Sequence, residues 1–174
     1  LGAAAAPLML PYLDPGLRPA KGEVFRAELM AEVIADLSSP AVTDELIRMA
    51  EEGSGLARVN ALTAMTGTPE PGRVTGPLKR IASSGGAVGL PAEFGAAIRE
   101  AAFSTLAILG TTEGIDFIKA KVADPNAAVA AAALAALKAA PVETSAGVVL
   151  QLLTTPAAPG LALELVAFYD QHSE

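Results

Sequence analysis

Apolar residues recur along this chain at spacings of three and four, in short segments separated by proline and glycine. The first long segment predicts a helix over 23–37, with Phe25, Leu29, Val33 and Leu37 on one stripe and Met30 and Ile34 beside it. Ser38-Ser39-Pro40 ends it, and a helix over 41–52 follows, where Asp44 is placed to pair with Arg48 one turn on. After Gly53-Ser54-Gly55 come helices over 56–66 and 73–83. The longest linker, SSGGAVGLPAE, leads to a helix over 93–109 that Gly110 is suited to close. Further helices are predicted over 112–123, 126–140, 143–154 and 160–171. No segment alternates with period two, so the predicted class is all-α.

Helices this short are marginal in isolation and need neighbours. Internal repetition supplies them. When Ala61-Leu62, Ala102-Phe103 and Ala133-Leu134 are aligned, Met65, Leu106 and Leu137 coincide, as do Ala57, Ile98 and Val129. Arg58 and Arg99 also coincide, with Ala130 in the third copy. The composition agrees: 52% of residues are hydrophobic and 4% aromatic, so alanine, leucine and valine must build most of the core. Small side chains let helices approach closely, whereas sheets favour β-branched and aromatic residues.

The run VADPNAAVAAAALAALKAA, Val122 to Ala140, resembles the second half of a HEAT repeat, and PLMLPYLDP, Pro7 to Pro15, resembles the first helix and turn of another. The resemblance implies one domain over 1–174: a right-handed α-solenoid of about five antiparallel helix pairs, at about 4–37, 41–66, 73–109, 112–140 and 143–171. In that family an arginine near the start of the second helix ties neighbouring repeats to turn acids. Arg26, Arg58 and Arg99 fit that place, and Ala130 departs from it. The chain starts at Leu1 and is expected to be a processed or excised part of a longer one.

Charge and chemistry narrow the function classes. The net charge is −7, and Lys79-Arg80 is the lone adjacent basic pair, which argues against nucleic acid and anionic membrane as partners. Residues 144–163 are uncharged, but Gln151, Pro156, Pro159 and four Ser or Thr residues argue against a membrane span. Pro7 and Pro11 interrupt the apolar opening, and no basic stretch precedes it, so it does not read as a signal peptide. The compartment is open, with the cytoplasm favoured. Cysteine is absent and His172 is the single histidine, the third residue from the end, so no cysteine- or histidine-based nucleophile can be assembled. Ser84-Gly85-Gly86 lacks the lysine and preceding strand of a phosphate cradle and reads as a surface loop. The carboxylate pairs Glu51/Glu52 and Glu23/Glu28 carry no sign of burial or altered acidity. No catalytic, cofactor or metal-binding residue is assigned.

Glu28, Glu32 and Asp36 stand four residues apart and form an acidic strip, read as opposite the Phe25 stripe. Its alternatives are a solvated face, a docking strip for a basic partner, and a weak divalent-cation site, for which one helix supplies too few ligands. The resemblance implies that second helices line a concave binding surface, so Glu28, Glu32, Asp36, Asn60, Thr63, Glu100 and Ser104 are the candidate partner-facing residues. Residues 127–137, all Ala, Val and Leu, are either packed interior or an apolar docking patch. The expected function is a non-catalytic scaffold for a protein partner, basic or part of a larger assembly. The alternative is an enzyme-associated subunit, since the alanine-rich run is also similar to the repeats of phycobilin lyases. DNA-glycosylase solenoids need a basic, aromatic-bearing groove that this composition does not supply.

Overall fold

A computed structural model describes residues 2–16, 21–85 and 90–140, together with the helical positions 163, 166 and 167. Among the described residues the chain forms eight α-helices and no strand: α1 (Ala6–Met9), α2 (Lys21–Leu37), α3 (Thr43–Glu52), α4 (Gly55–Ala64), α5 (Pro71–Ser84), α6 (Ala92–Leu109), α7 (Thr112–Lys121) and α8 (Ala127–Ala139). Short 3-10 turns at Ala3–Ala5, Leu10–Leu13, Pro40–Val42 and Met65–Gly67 extend or join them. The expected single helix near the N-terminus is therefore broken into three pieces, because Pro7 and Pro11 each remove a backbone donor. The end of the 56–66 helix tightens into the turn at Met65–Gly67. The helices expected at 143–154 and 160–171 lie outside the described residues, apart from positions 163, 166 and 167, as do His172 and the side chains of Glu23 and Phe25.

The termini follow from local chemistry. Ser54 Oγ accepts from the Ala57 amide at 3.3 Å, Thr111 Oγ1 from Gly114 at 3.1 Å, and Asn126 Oδ1 from Ala128 at 3.0 Å, each satisfying an amide that the first helical turn leaves open. Gly110 closes α6 in the left-handed conformation, φ 61°, with its amide on the Leu106 carbonyl.

Packing runs in two rows. Among the even-numbered helices, α2 touches α4, α4 touches α6 and α6 touches α8; among the odd, α3 touches α5 and α5 touches α7. Each odd helix also packs on the even helix that follows it. Most of the apolar positions aligned from sequence are buried alike: Ala57, Ala61, Leu62, Met65, Ile98, Ala102, Leu106, Ala133 and Leu137 are fully enclosed and Val129 nearly so, whereas Leu134 is half-buried. Phe103 is enclosed too, stacked on Phe117 with ring centres 5.8 Å apart.

The buried side of α2 differs from the stripe read in the sequence. Ala27, Ala31, Ile34 and Ala35 turn inward, while Leu29 is 42% exposed and Val33 and Leu37 are half-buried. Close approach decides this. The backbone at Gly67 comes so near Ala35 that a β-carbon on Gly67 would collide with the Ala35 carbonyl. A helix face seated at that distance must carry alanines rather than leucines. On α8, likewise, Val129, Ala132, Ala133, Ala136 and Leu137 are buried, whereas Ala127, Ala128, Ala131, Ala135 and Ala139 are exposed. The 127–137 run is thus an interior face and an exposed alanine face on one helix.

Candidate functional site

The two rows differ in how their acidic side chains are paired. On the odd row, Arg73 of α5 reaches Asp44 of α3 and, at 2.6 Å, Glu70; Arg80 of α5 reaches Glu51 of α3 at 2.6 Å; and Lys79 of α5 reaches Glu113 of α7 at 2.7 Å. Within helices, Arg48 pairs with Glu45 and Glu52, and Lys119 with Asp116. The pairing expected between Asp44 and Arg48 is replaced: Asp44 faces the next odd helix, and Arg48 turns to the carboxylates three before and four after it. The hydrogen bond from Arg48, with its positive charge, holds the Glu45 carboxyl below its usual range, and Glu45 in return holds the Arg48 guanidinium above its own. Arg73 is raised first by Glu70 and then by Asp44. Asp124, beyond α7, is lowered by hydrogen bonds from Lys121 and from the Asn126 amide.

Glu28, Glu32 and Asp36 are all exposed on α2, as are Glu93 and Glu100 on α6. Among the described residues none of these five carboxylates forms an ion pair, whereas all six acidic side chains of α3 and α7 do. Thr63 and Ser104 are half-buried, and the Thr63 hydroxyl donates to its own helix at the Val59 carbonyl, 3.2 Å away. Asn60 is placed otherwise than expected. It is 4% exposed and its amide donates to the Leu13 carbonyl at 2.9 Å, pinning the N-terminal segment to α4. A polar side chain in a helix reads as a surface residue until a distant backbone acceptor is known.

The arginines that the repeat resemblance singles out also take particular places. Arg26 is exposed. Arg58 is 9% exposed and donates through Nε to the Gly53 carbonyl at 2.8 Å, bracing the turn between α3 and α4. Arg99 reaches back from α6 to the end of α5, where a β-carbon on Gly85 would lie 2.8 Å from its Nη2.

Two concave features among the described residues were not expected from the sequence. A cleft of about 500 Å³ lies between the N-terminal segment and the α3–α4 pair, lined by Pro7, Leu10, Pro11, Asp14, Glu45, Arg48, Met49, Gly53 and Ala57. A shallower one of about 300 Å³, lined by Pro11, Tyr12, Asp14, Pro15 and Arg26, shares Pro11 and Asp14 with it. The signal was the segment PLMLPYLDP itself, whose three prolines stiffen a wall and whose single acid punctuates it. Among the described residues no group of three or more His, Asp or Glu side chains is placed to hold a metal ion, and no helix is long and apolar enough to cross a membrane. No protein-family model matches the sequence, and no curated protein is significantly similar to it.

Proposed function

We propose that this chain is a non-catalytic, HEAT-like α-solenoid scaffold that holds a basic protein partner along its even-numbered helices. The observation that carries the reading is the division of charge. The odd row neutralises its acids through ion pairs within and between helices, while the acids of α2 and α6 stand unpaired among the described residues. Like charges four residues apart disfavour a helix by a few tenths of a kcal/mol, so an unpaired strip is better accounted for by an external cation than by the stability of α2. Support for the solenoid comes from the two rows of sequential helix contacts and from the shared burial of most aligned apolar positions in α4, α6 and α8. Stacked pairs of this kind present an extended surface, with specificity and encounter rate set by its charge.

The test is a triple variant, E28Q/E32Q/D36N, compared with the wild-type chain as bait across a salt series, followed by association kinetics with the captured protein. The variant is expected to melt at the same temperature or slightly above and to capture the partner more slowly, with the difference closing as salt screens the strip. Equal recovery and equal on-rates at low salt would reduce the strip to a solvated face.

A further inference from the structure

Of the charged side chains that line the larger N-terminal cleft, one has an oxygen to spare among the described residues. Glu45 is closed on Arg48: Nε and Nη2 of the guanidinium donate to its two carboxylate oxygens, and Glu52 lies 3.7 Å from Nη1. The Gly53 carbonyl already accepts from Arg58. Asp14 is different. Its Oδ1 accepts from the Gly16 amide at 3.1 Å and from the Ser54 hydroxyl at 2.7 Å, which fixes the carboxylate across the seam between the N-terminal segment and α4. Both bonds fall on one oxygen. Oδ2 makes no hydrogen bond or ion pair among the described residues.

We propose that this cleft seats a lysine side chain from an extended segment of a partner protein, its ammonium on Asp14 Oδ2 and its methylene stem along Pro7, Leu10, Pro11 and Met49. The charge selects a cation, because Arg48 is already matched by Glu45 and Glu52 and the acid in excess is Asp14. The geometry selects lysine over arginine. A guanidinium binds best as a fork on two carboxylate oxygens, and Oδ1 is already spent on Gly16 and Ser54, whereas an ammonium needs a single acceptor. The walls suit the stem, since a lysine commonly lays its alkyl chain on apolar surface and keeps its head on a polar group. A volume of about 500 Å³ leaves room for the backbone on either side of the lysine. The neighbouring cleft shares Asp14 and Pro11 and bears Tyr12 and Arg26, so the residue next to the lysine there is uncharged or acidic, not basic.

This inference rests on the scaffold reading but uses residues separate from the acidic strip. The experiment titrates the isotope-labelled chain with a capped pentapeptide, Ala-Ala-Lys-Ala-Ala, and with its norleucine and arginine counterparts, following amide signals by NMR. The lysine peptide is expected to shift Asp14, Gly16, Gly53 and Ser54, and to bind about ten-fold more tightly than the norleucine peptide, as a charge-assisted hydrogen bond predicts. D14N retains an oxygen for Gly16 and Ser54 and should abolish that ten-fold preference. Should D14N disturb the fold, the wild-type chain itself decides: its preference for the lysine over the norleucine peptide should shrink as salt screens Asp14, and a preference unchanged across a salt series would overturn the assignment. E28Q/E32Q/D36N should bind the lysine peptide as the wild type does. Equal binding of lysine and norleucine peptides, no binding of either, or shifts centred on Glu28, Glu32 and Asp36 would overturn the cleft assignment. The last of these outcomes would leave the strip reading intact. Lysine binding at the cleft together with equal partner capture by the triple variant would instead overturn the strip.

Discussion

The odd-numbered and even-numbered helices hold their neighbours by different means. Between α3, α5 and α7 the named ion pairs are at the surface, Arg73 with Asp44, Arg80 with Glu51 and Lys79 with Glu113, beside one part-buried hydroxyl contact between Thr75 and Thr111 at 3.3 Å. Between α2, α4, α6 and α8 they are small side chains and buried hydrogen bonds. Thr105 of α6, 1% exposed, donates to the Leu62 carbonyl of α4 at 2.9 Å, and Gly67 admits the Ala35 carbonyl of α2. Exposed ion pairs contribute little once water and salt screen them, whereas removing buried apolar surface leaves a cavity that the neighbours refill incompletely. The even row should therefore hold most of the stability, with the odd row tuning alignment. That division leaves the even row's exposed acids free of structural duty.

Mutations that separate the rows test this directly. The largest effect is expected at Phe103, fully enclosed in α6 and stacked on Phe117. Phe103→Ala should destabilise the chain by about 3–5 kcal/mol in urea unfolding. A loss below about 1 kcal/mol would mean that α6 does not organise the core. A smaller effect is expected for Thr105→Val, which keeps the volume and withdraws the hydroxyl from Leu62 and Ala101. The cost should be about 1 kcal/mol, with faster amide exchange concentrated at the joint between α4 and α6. If the loss appears uniformly along the chain, the hydrogen bond is not specific to that joint. The smallest is Arg80→Ala, which releases Glu51 at an exposed site. Here the melting midpoint should move by less than about 1 kcal/mol equivalent at low salt and not at all at high salt. A large, salt-independent loss would show the odd row to be as strongly built as the even one.

Where the sequence was informative, the reason was local. The boundary of α2 at Leu37, the closure of α6 by Gly110, and the breaks at Gly53 and Pro125 follow from backbone chemistry that a few residues carry with them. The shared positions of α4, α6 and α8 were legible because repeated burial imposes repeated apolar residues. The candidate site was less legible. Exposure of Glu28, Glu32, Asp36 and Glu100 follows from charge, but whether each is paired depends on which helix lies beside it. Asp44 shows the difficulty. An arginine four residues along the same helix was available, yet Asp44 pairs with Arg73, 29 residues away.

The sequence by itself determined that the described residues are helical without strands, with the elements placed by periodicity, caps and prolines, and with a core made of small and medium apolar side chains. Tertiary structure decided which face of each helix is interior. On α2 it chose Ala27, Ala31 and Ala35 over Leu29, because the separation between helices, which no single helix encodes, rewards small residues where backbones meet. It also drew Asn60 inward to the Leu13 carbonyl and set Asp14 against Ser54, making a cleft from segments 40 residues apart. Contacts over such distances are selected by the summed packing of the whole chain, and the periodicity of any one segment holds no record of them.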